Sequence, residues 1–269
     1  MLRREDRVRA LNFVLMVGVT TILMLPVIHA FGRSVEPPGG LGNYLRVLTD
    51  VRLPRFYLNS ILVSAGTILL TVACASLAGF AFSKLQFPLK NLLFVILLIT
   101  LLVPFTTMII PLFVLIRGLG LYNSYLALIL PLAAFGVPFH TVLTANYLNS
   151  LPNELIDSAR IDGCSDLGVF LRIMLPLSLP VQAVVIVLTF LGSWNNYILP
   201  LIMLKDQEMH TVPLAAVSWA YQAGALSQFG EVSYDTLFAA LFLLAAPTLI
   251  IFLLFQRVFI GSVTSGAIK

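Results

Sequence analysis

Charge is what this sequence most lacks. Only 10% of its 269 residues are Asp, Glu, Lys or Arg, while 59% are hydrophobic and the formal net charge is +4. Soluble domains carry about 25% charged and about 45–50% apolar residues. A chain this poor in charge cannot solvate a water-facing surface of its own size. That excludes an ordinary soluble enzyme, a disordered protein and a basic nucleic-acid binder. Cysteine is nearly missing too: Cys74 and Cys164 lie in a hydrophobic run and a polar loop, so there is no disulfide or Cys-metal framework. The three histidines, His29, His140 and His210, are too scattered to form a ligand-spaced motif, and no metal site is expected. None of Lys84, Lys90, Lys205 and Lys269 follows a glycine. The Gly-Lys-Ser/Thr loop that holds nucleotide phosphates is therefore absent, and the chain cannot hydrolyse ATP by itself.

What is present is long uncharged runs. They cover 10–32, 56–83, 91–116, 118–153, 173–204, 209–230 and 236–256. A helix needs about 20 mostly apolar residues, rising 1.5 Å each, to cross about 30 Å of hydrocarbon. Six runs satisfy this, predicting spans near 11–31, 59–83, 91–116, 123–147, 181–203 and 236–257. The seventh, 209–230, holds Pro213, Gly224, Gly230 and several polar residues, and reads as a looser interfacial element. The period-2 alternation of a membrane barrel is missing. The expected fold is all-α and polytopic, with six transmembrane helices in a single domain over 1–269, because the segments between spans are too short for a second domain.

An even number of spans puts both termini on one side. If that side is the cytoplasm, ten Lys and Arg fall inside and six outside, in agreement with the positive-inside rule. The basic N-terminus precedes an apolar block too long for a cleavable signal, which predicts an uncleaved anchor. The first outside loop opens with Pro37-Pro38-Gly39-Gly40 and then offers a short surface helix near Asn43–Leu48. Arg46, Arg52 and Arg55 follow as interfacial anchors. Prolines at 104, 111, 131 and 138 predict kinked helices in spans three and four. His140, inside span four, is expected to be hydrogen-bonded in packing.

The most informative segment is the inside loop 148–180. It carries Glu154, Asp157, Asp162 and Asp166 against Arg160 and Arg172, a net negative charge in a loop expected to be basic. Pro152 suits a first helical turn, and Glu154 complements the helix dipole. Leu151, Leu155 and Ala159 predict an apolar stripe with Glu154, Asp157 and Arg160 off it. Gly163 supplies a left-handed or flexible corner. Ser165 caps a second helix whose apolar side would include Leu167, Phe170, Leu171 and Met174. Pro176 and Pro180 bend the chain into span five. Two short helices joined at a glycine make a docking lever.

This loop resembles the signature of the permease subunits of binding-protein-dependent ABC importers: E-A-A, three residues, Gly, nine residues, Ile, any residue, Leu-Pro. Here the run is Asp157-Ser158-Ala159, three residues, Gly163, nine residues, then Ile173-Met174-Leu175-Pro176. The spacing matches throughout; the opening has Asp for Glu and Ser for the first Ala. The stretches FLGSWNNYILPLI and FQRVFIGSVTSGAIK extend the likeness to the sugar-type permeases, in particular the smaller six-helix partner of maltose-type importers. It covers roughly residues 40–269.

The resemblance implies a type I importer fold in the cytoplasmic membrane of a prokaryote. It also implies a second permease subunit as heterodimer partner, two ATP-binding cassette subunits that use ATP and Mg, and an extracytoplasmic solute-binding protein. This chain would bind no cofactor. The loop would dock on the ATPase, with Glu154, Asp157, Arg160 and Asp162 at the rim and Ser158, Ala159 and Gly163 allowing close approach. Ser265, Gly266 and Ala267, in a polar, flexible tail beyond span six, would contact the ATPase as well.

Trp194-Asn195-Asn196-Tyr197, placed mid-span five, combine amides with aromatic rings. They fit either a translocation path for sugars or packing between helices. A secondary transporter or channel acting without an ATPase is the competing reading. It predicts ionisable residues within the spans or inverted repeats, and the five clearest spans contain no Asp, Glu, Lys or Arg.

Overall fold

In the computed structural model the described residues are 4–37, 39–49, 52–220 and 234–266. They form helices joined by short turns, with no strand among them. The order is α1 (Arg4–Ser34), α2 (Gly42–Leu48), α3 (Leu53–Lys84), α4 (Lys90–Thr100), α5 (Phe105–Gly118), α6 (Leu126–Asn149), α7 (Glu154–Ile161) and α8 (Asp166–Val169). A π-helical turn at Phe170–Met174 follows, then α9 (Leu175–Leu177), α10 (Leu179–Trp194), α11 (Ile198–Met203), a 3-10 turn at Gln207–Met209, α12 (Val212–Ala220) and α13 (Tyr234–Gly266).

Four of these helices are long and apolar enough to cross a membrane: Asn12–Ser34, Leu53–Lys84, Leu126–Asn149 and Asp235–Phe255. The count reaches six if each of two bent pairs makes one span, α4 with α5 at 99° and Asp166–Leu177 with α10 at 75°. The predicted span 91–116 is therefore broken, not continuous. Pro104 is the physical cause: it has no backbone N–H to continue α4 and takes an extended conformation ahead of α5. Pro111, Pro131 and Pro138 stay inside their helices.

Span 181–203 is likewise interrupted after Trp194, and side-chain amides brace both edges of the break. Asn195 Nδ2 donates to Leu191 O at 2.9 Å, and Asn196 Oδ1 accepts from Leu199 N at 3.1 Å. The predicted loose element at 209–230 begins as a helix, α12, with Val212, Leu214, Ala215 and Ala216 buried. Its remainder, 221–230, lies outside the described residues.

The chain groups into two compact units. The smaller, Met1–Leu53 with Ala216–Ala246, contains α1, α2 and the start of α13. Asn43 Nδ2 donates to Ser34 O at 3.2 Å, and Thr236 Oγ1 donates to Asn43 Oδ1 at 3.3 Å. Arg33 pairs with Glu36 at 2.6 Å and Asp235 at 3.1 Å. Apart from this end, the stretch of α1 from Asn12 onward is bare: none of its apolar window is buried, as suits a lipid-facing helix.

The larger unit, Pro54–Ala215 with Pro247–Lys269, holds the main packed core. Val63, Ile116, Ala127, Leu128, Leu199 and Met203 are buried together near one end of α3 and α6. Glycines allow these two helices to close up. A Cβ on Gly66 would lie 2.7 Å from Ile129 Cδ1, and one on Gly79 would lie 2.7 Å from Thr144 Cγ2 and 3.2 Å from Ala145 N.

At that same end, side chains clasp the loop after α11. Asn123, in the left-handed region at φ 59°, accepts on Oδ1 from Lys205 N at 2.9 Å and Asp206 N at 3.1 Å. Asn59 Nδ2 donates to Glu208 O and His210 O at 2.8 and 2.9 Å. Ser60 Oγ accepts from Val212 N at 2.8 Å.

Candidate functional site

The 148–180 segment folds as the two-helix hairpin its sequence predicts. Asn153 precedes α7, and Glu154 and Asp157 occupy its first turn, where acids complement the dipole. The helix ends in a left-handed Gly163 at φ +83°; Gly163 N donates to Arg160 O at 3.0 Å and Cys164 N to Ala159 O at 2.9 Å. These bonds consume the last carbonyls of α7, the usual task of a glycine just past a helix end. Ser165 then caps α8, accepting from Gly168 N at 3.2 Å.

The buried face differs from the predicted stripe. Ile156 and Ala159 point inward, and Leu155 is exposed, because the helix presents its i, i+3 pair to the bundle and not the i, i+4 pair read from Leu151. Leu151 packs only partly. On the second arm Val169, Phe170 and Met174 are buried, while Leu167 and Leu171 are exposed. The π turn at Phe170–Met174 inserts a residue into the helical repeat, so a 3.6-residue reading of that arm drifts off register.

The inward residues join Phe80 and Leu148 in one apolar cluster, with Ile173 and Leu175 packed partly against it. Phe80 meets Phe170 with ring centroids 5.4 Å apart. Lys84, the last residue of α3, donates from Nζ to Leu151 O and Asn153 Oδ1, both at 2.7 Å. The hairpin is thus clamped at its root by packing and by one cation. Sequence reasoning used Lys84 for topology and for excluding a phosphate loop, not for this clamp; its place at the end of a span, opposite the next inside loop, was the available signal.

The outward surface is polar with apolar points. Glu154, Asp157, Ser158, Arg160, Asp162, Gly163 and Pro176 are exposed, and Ile161 stands 86% exposed with Leu167 at 60%. Arg160 reaches across the corner to Asp166, Nη2 to Oδ1 2.9 Å, a pairing the sequence reading missed because it spans the turn. A rigid hairpin with large apolar residues held in water is suited to rigid-body docking on another protein surface.

The second predicted site separates into different environments. Trp194 is buried, stacked on Phe190 at 5.2 Å and tilted against Tyr57 at 6.0 Å. Asn195 and Tyr197 are exposed, and Asn196 is half-buried. All four sit at the end of α10 and the break after it, not mid-helix as predicted, because the two amides cap the interruption. The tail is also corrected: α13 continues through Ser265 and Gly266, where a flexible segment was expected. Ala267 lies outside the described residues. Among the described residues no three His, Cys, Asp or Glu cluster to hold a metal.

Broken apolar spans and a glycine-cornered hairpin define a polytopic helical membrane protein. The chain belongs to the family described as binding-protein-dependent transport system inner membrane component, which matches residues 71–265. It is a multi-pass membrane permease subunit of the ABC importer type, a family of transport subunits and not of enzymes. It is 36% identical over 85% of its length, and 79% of the relative's, to the arabinooligosaccharides transport system permease protein AraQ of Halalkalibacterium halodurans. It is 33% identical to the trehalose/maltose permease protein MalG of Thermococcus litoralis, covering 87% of this chain and 83% of that one. Its fold matches a chain of a bacterial ABC transporter involved in import of the acidic polysaccharide alginate, with TM-score 0.81 at 21% identity, covering 96% of this chain and 98% of the other. The all-α type I importer fold expected from the loop motif is the one found.

Proposed function

We propose that this chain forms half of the translocation path of an ATP-driven carbohydrate importer, docking its 148–180 hairpin on an ATP-binding cassette subunit. The observation that carries the reading is the division of α7: Ile156 and Ala159 anchor it in the bundle while Asp157, Ser158, Ile161 and Asp162 face out. A partner that closes on ATP would push a body already clamped to α3 and α6, so movement at the hairpin reaches the spans. The full assembly would pair this chain with a second permease, two ATPase subunits that use ATP and Mg, and an extracytoplasmic binding protein. Both termini would then lie in the cytoplasm, as the Lys and Arg distribution favours. The residues at the end of α13, Ser265 and Gly266, with Ala267, supply a further ATPase contact. Asn195 and Tyr197 face the path, while Trp194 and Asn196 hold the break in place. The oligosaccharide systems in which the relatives serve support a sugar as cargo.

The test is copurification of the tagged chain from detergent with and without Gly163→Pro, followed by uptake of labelled oligosaccharides in proteoliposomes. Recovery of an ATPase and a second permease, with the ATPase lost in the variant, is the expected result. Recovery of the chain alone, still moving solute without ATP, overturns it in favour of a secondary transporter or channel.

A further inference from the structure

The interior of the larger unit carries polar side chains that the transport reading does not use. Thr71 on α3, Thr141 and Thr144 on α6 are each 0% exposed, His140 on α6 is 6% and Gln182 on α10 is 3%. Thr71 Oγ1, Thr141 Oγ1, Thr144 Oγ1, His140 Nε2 and both amide atoms of Gln182 find no hydrogen-bond partner among the described residues. Thr67 and Ser193 in these helices bond their own backbone, Thr67 Oγ1 donating to Val63 O and Ser193 Oγ to Thr189 O, each at 2.8 Å, while Ser64 and Thr189 join the unpartnered hydroxyls. That back-bond is the ready local solution for a helical hydroxyl, and the orphaned threonines do not adopt it.

Two of the orphaned residues, Thr71 and His140, meet at the seam where α3 packs on α6. A Cβ on Gly136 would sit 3.4 Å from His140 Nδ1 and 3.6 Å from Thr71 Cγ2, and Thr144 is the residue against Gly79. Tyr147 Oη donates to Leu177 O at 3.2 Å, which ties α9, just ahead of α10, to the end of α6. Gln182 is buried on α10, which packs against α6.

The chemistry of the seam selects its ligand. His140 Nδ1 lies 2.8 Å from Gly136 O, and a carbonyl only accepts, so Nδ1 carries the proton. In the neutral imidazole Nε2 is then an acceptor in need of a donor. Gln182 needs both a donor and an acceptor, and each threonine can be either. Leaving all of them unmatched at bilayer depth would cost a desolvation penalty per group. A ligand small enough for a packed interior, and able to donate and accept at once, is water, which typically makes about three such bonds when buried. We infer that the seam between α3, α6 and α10 is an internal water-binding site, with a bound water donating to His140 Nε2 and others bridging the threonine hydroxyls and the Gln182 amide. This site stands apart from the docking hairpin and does not depend on the cargo.

Hydroxyl-radical footprinting of the protein purified with its copurifying subunits, after a pulse of oxygen-18 water, tests the site. Bound water delivers radicals locally, so His140 takes up labelled oxygen several-fold more than Met203, which is 0% exposed in an apolar cluster. Methionine is the more reactive side chain, so intrinsic reactivity predicts the opposite order. Labelling of Met203 equal to or above that of His140 overturns the inference. A second measurement uses Thr141→Val and Thr144→Val, which keep shape and remove the hydroxyl. Loss of bridging water lowers the melting temperature and reduces the His140 label. A rise in melting temperature in both variants would mean that the hydroxyls are simply unpaired, and would also overturn it.

Discussion

Substituting Gly163 isolates the backbone of the hairpin from everything else it does. The residue sits at φ +83° with nothing within 4 Å of the place where a Cβ would go. A side chain there meets no steric neighbour within the chain, and the cost comes from the left-handed backbone alone. That cost is about 1–2 kcal/mol for an ordinary L-residue and higher for a β-branched one, whereas asparagine tolerates the conformation. Gly163→Val should therefore lower the equilibrium constant for the native corner by at least about 5- to 30-fold, and Gly163→Asn should lower it little. The assay is the amount of ATPase retained on the tagged chain across a concentration series, read beside ATP-dependent uptake. The expected order is wild type, then Asn close behind, then Val far below. If Asn and Val weaken retention equally, side-chain bulk at the docking face and not backbone geometry decides the effect, and the reasoning fails.

The remaining predictions concern the parts that hold the site in place. Gly79→Leu places atoms against Thr144 and the Ala145 backbone, and should destabilise the chain by about 1–3 kcal/mol; thermal melting beside Gly192→Ala, which meets nothing within 4 Å, checks this. Lys84→Met removes the donor to Leu151 O and Asn153, at about 1 kcal/mol, and should speed hydrogen exchange several-fold at 151–161. The Arg160–Asp166 pair is half-exposed on both sides; a double-mutant cycle should give a coupling under about 1 kcal/mol that fades with salt. Burial lowers the pKa of His210, so folding favours its neutral form. Its contribution is complete above the unfolded value of about 6.5 and is lost as pH falls through the lower folded value. Melting temperatures at pH 7.5 and 5 should differ more in wild type than in His210→Gln.

Hydrophobic runs and charge spacing were enough to locate the helices, because burial in lipid imposes a length that composition reports directly. The breaks were less legible. Pro104 signalled a kink, but a 99° bend depends on the packing of Phe105 and Leu112 into the core, a tertiary fact. The interruption after Trp194 rests on two consecutive amides that can cap in opposite directions, and the sequence leaves them open to either a translocation path or helix packing because amides in a span are costly whichever way they are used. In the hairpin, the glycine corner and the Ser165 cap were local and came through intact. The inward face did not, since one residue of rotation and a π turn are settled by packing on Leu148 and on Phe80, the latter far away in sequence. Lys84 and Arg160 gained their roles from partners that only the folded chain brings near.

The clasp on the loop after α11 bears on the order in which the protein can be made. Its bonds join residues separated by 149 to 152 positions at Asn59 and Ser60, and by 82 to 83 at Asn123. A growing chain inserts α3 and α6 long before it has synthesised residues 205–212. Throughout that interval the amides of Asn59 and Asn123 wait without their native partners, at ends of helices already committed to the membrane. Closure of a loop this long is slow compared with forming any single helix. Locking of this end is therefore a late step, after most of the chain has been threaded into the bilayer. A ribosome stalled before Val212 would leave behind a set of inserted helices with one end still unfastened, a ready mark for membrane quality control.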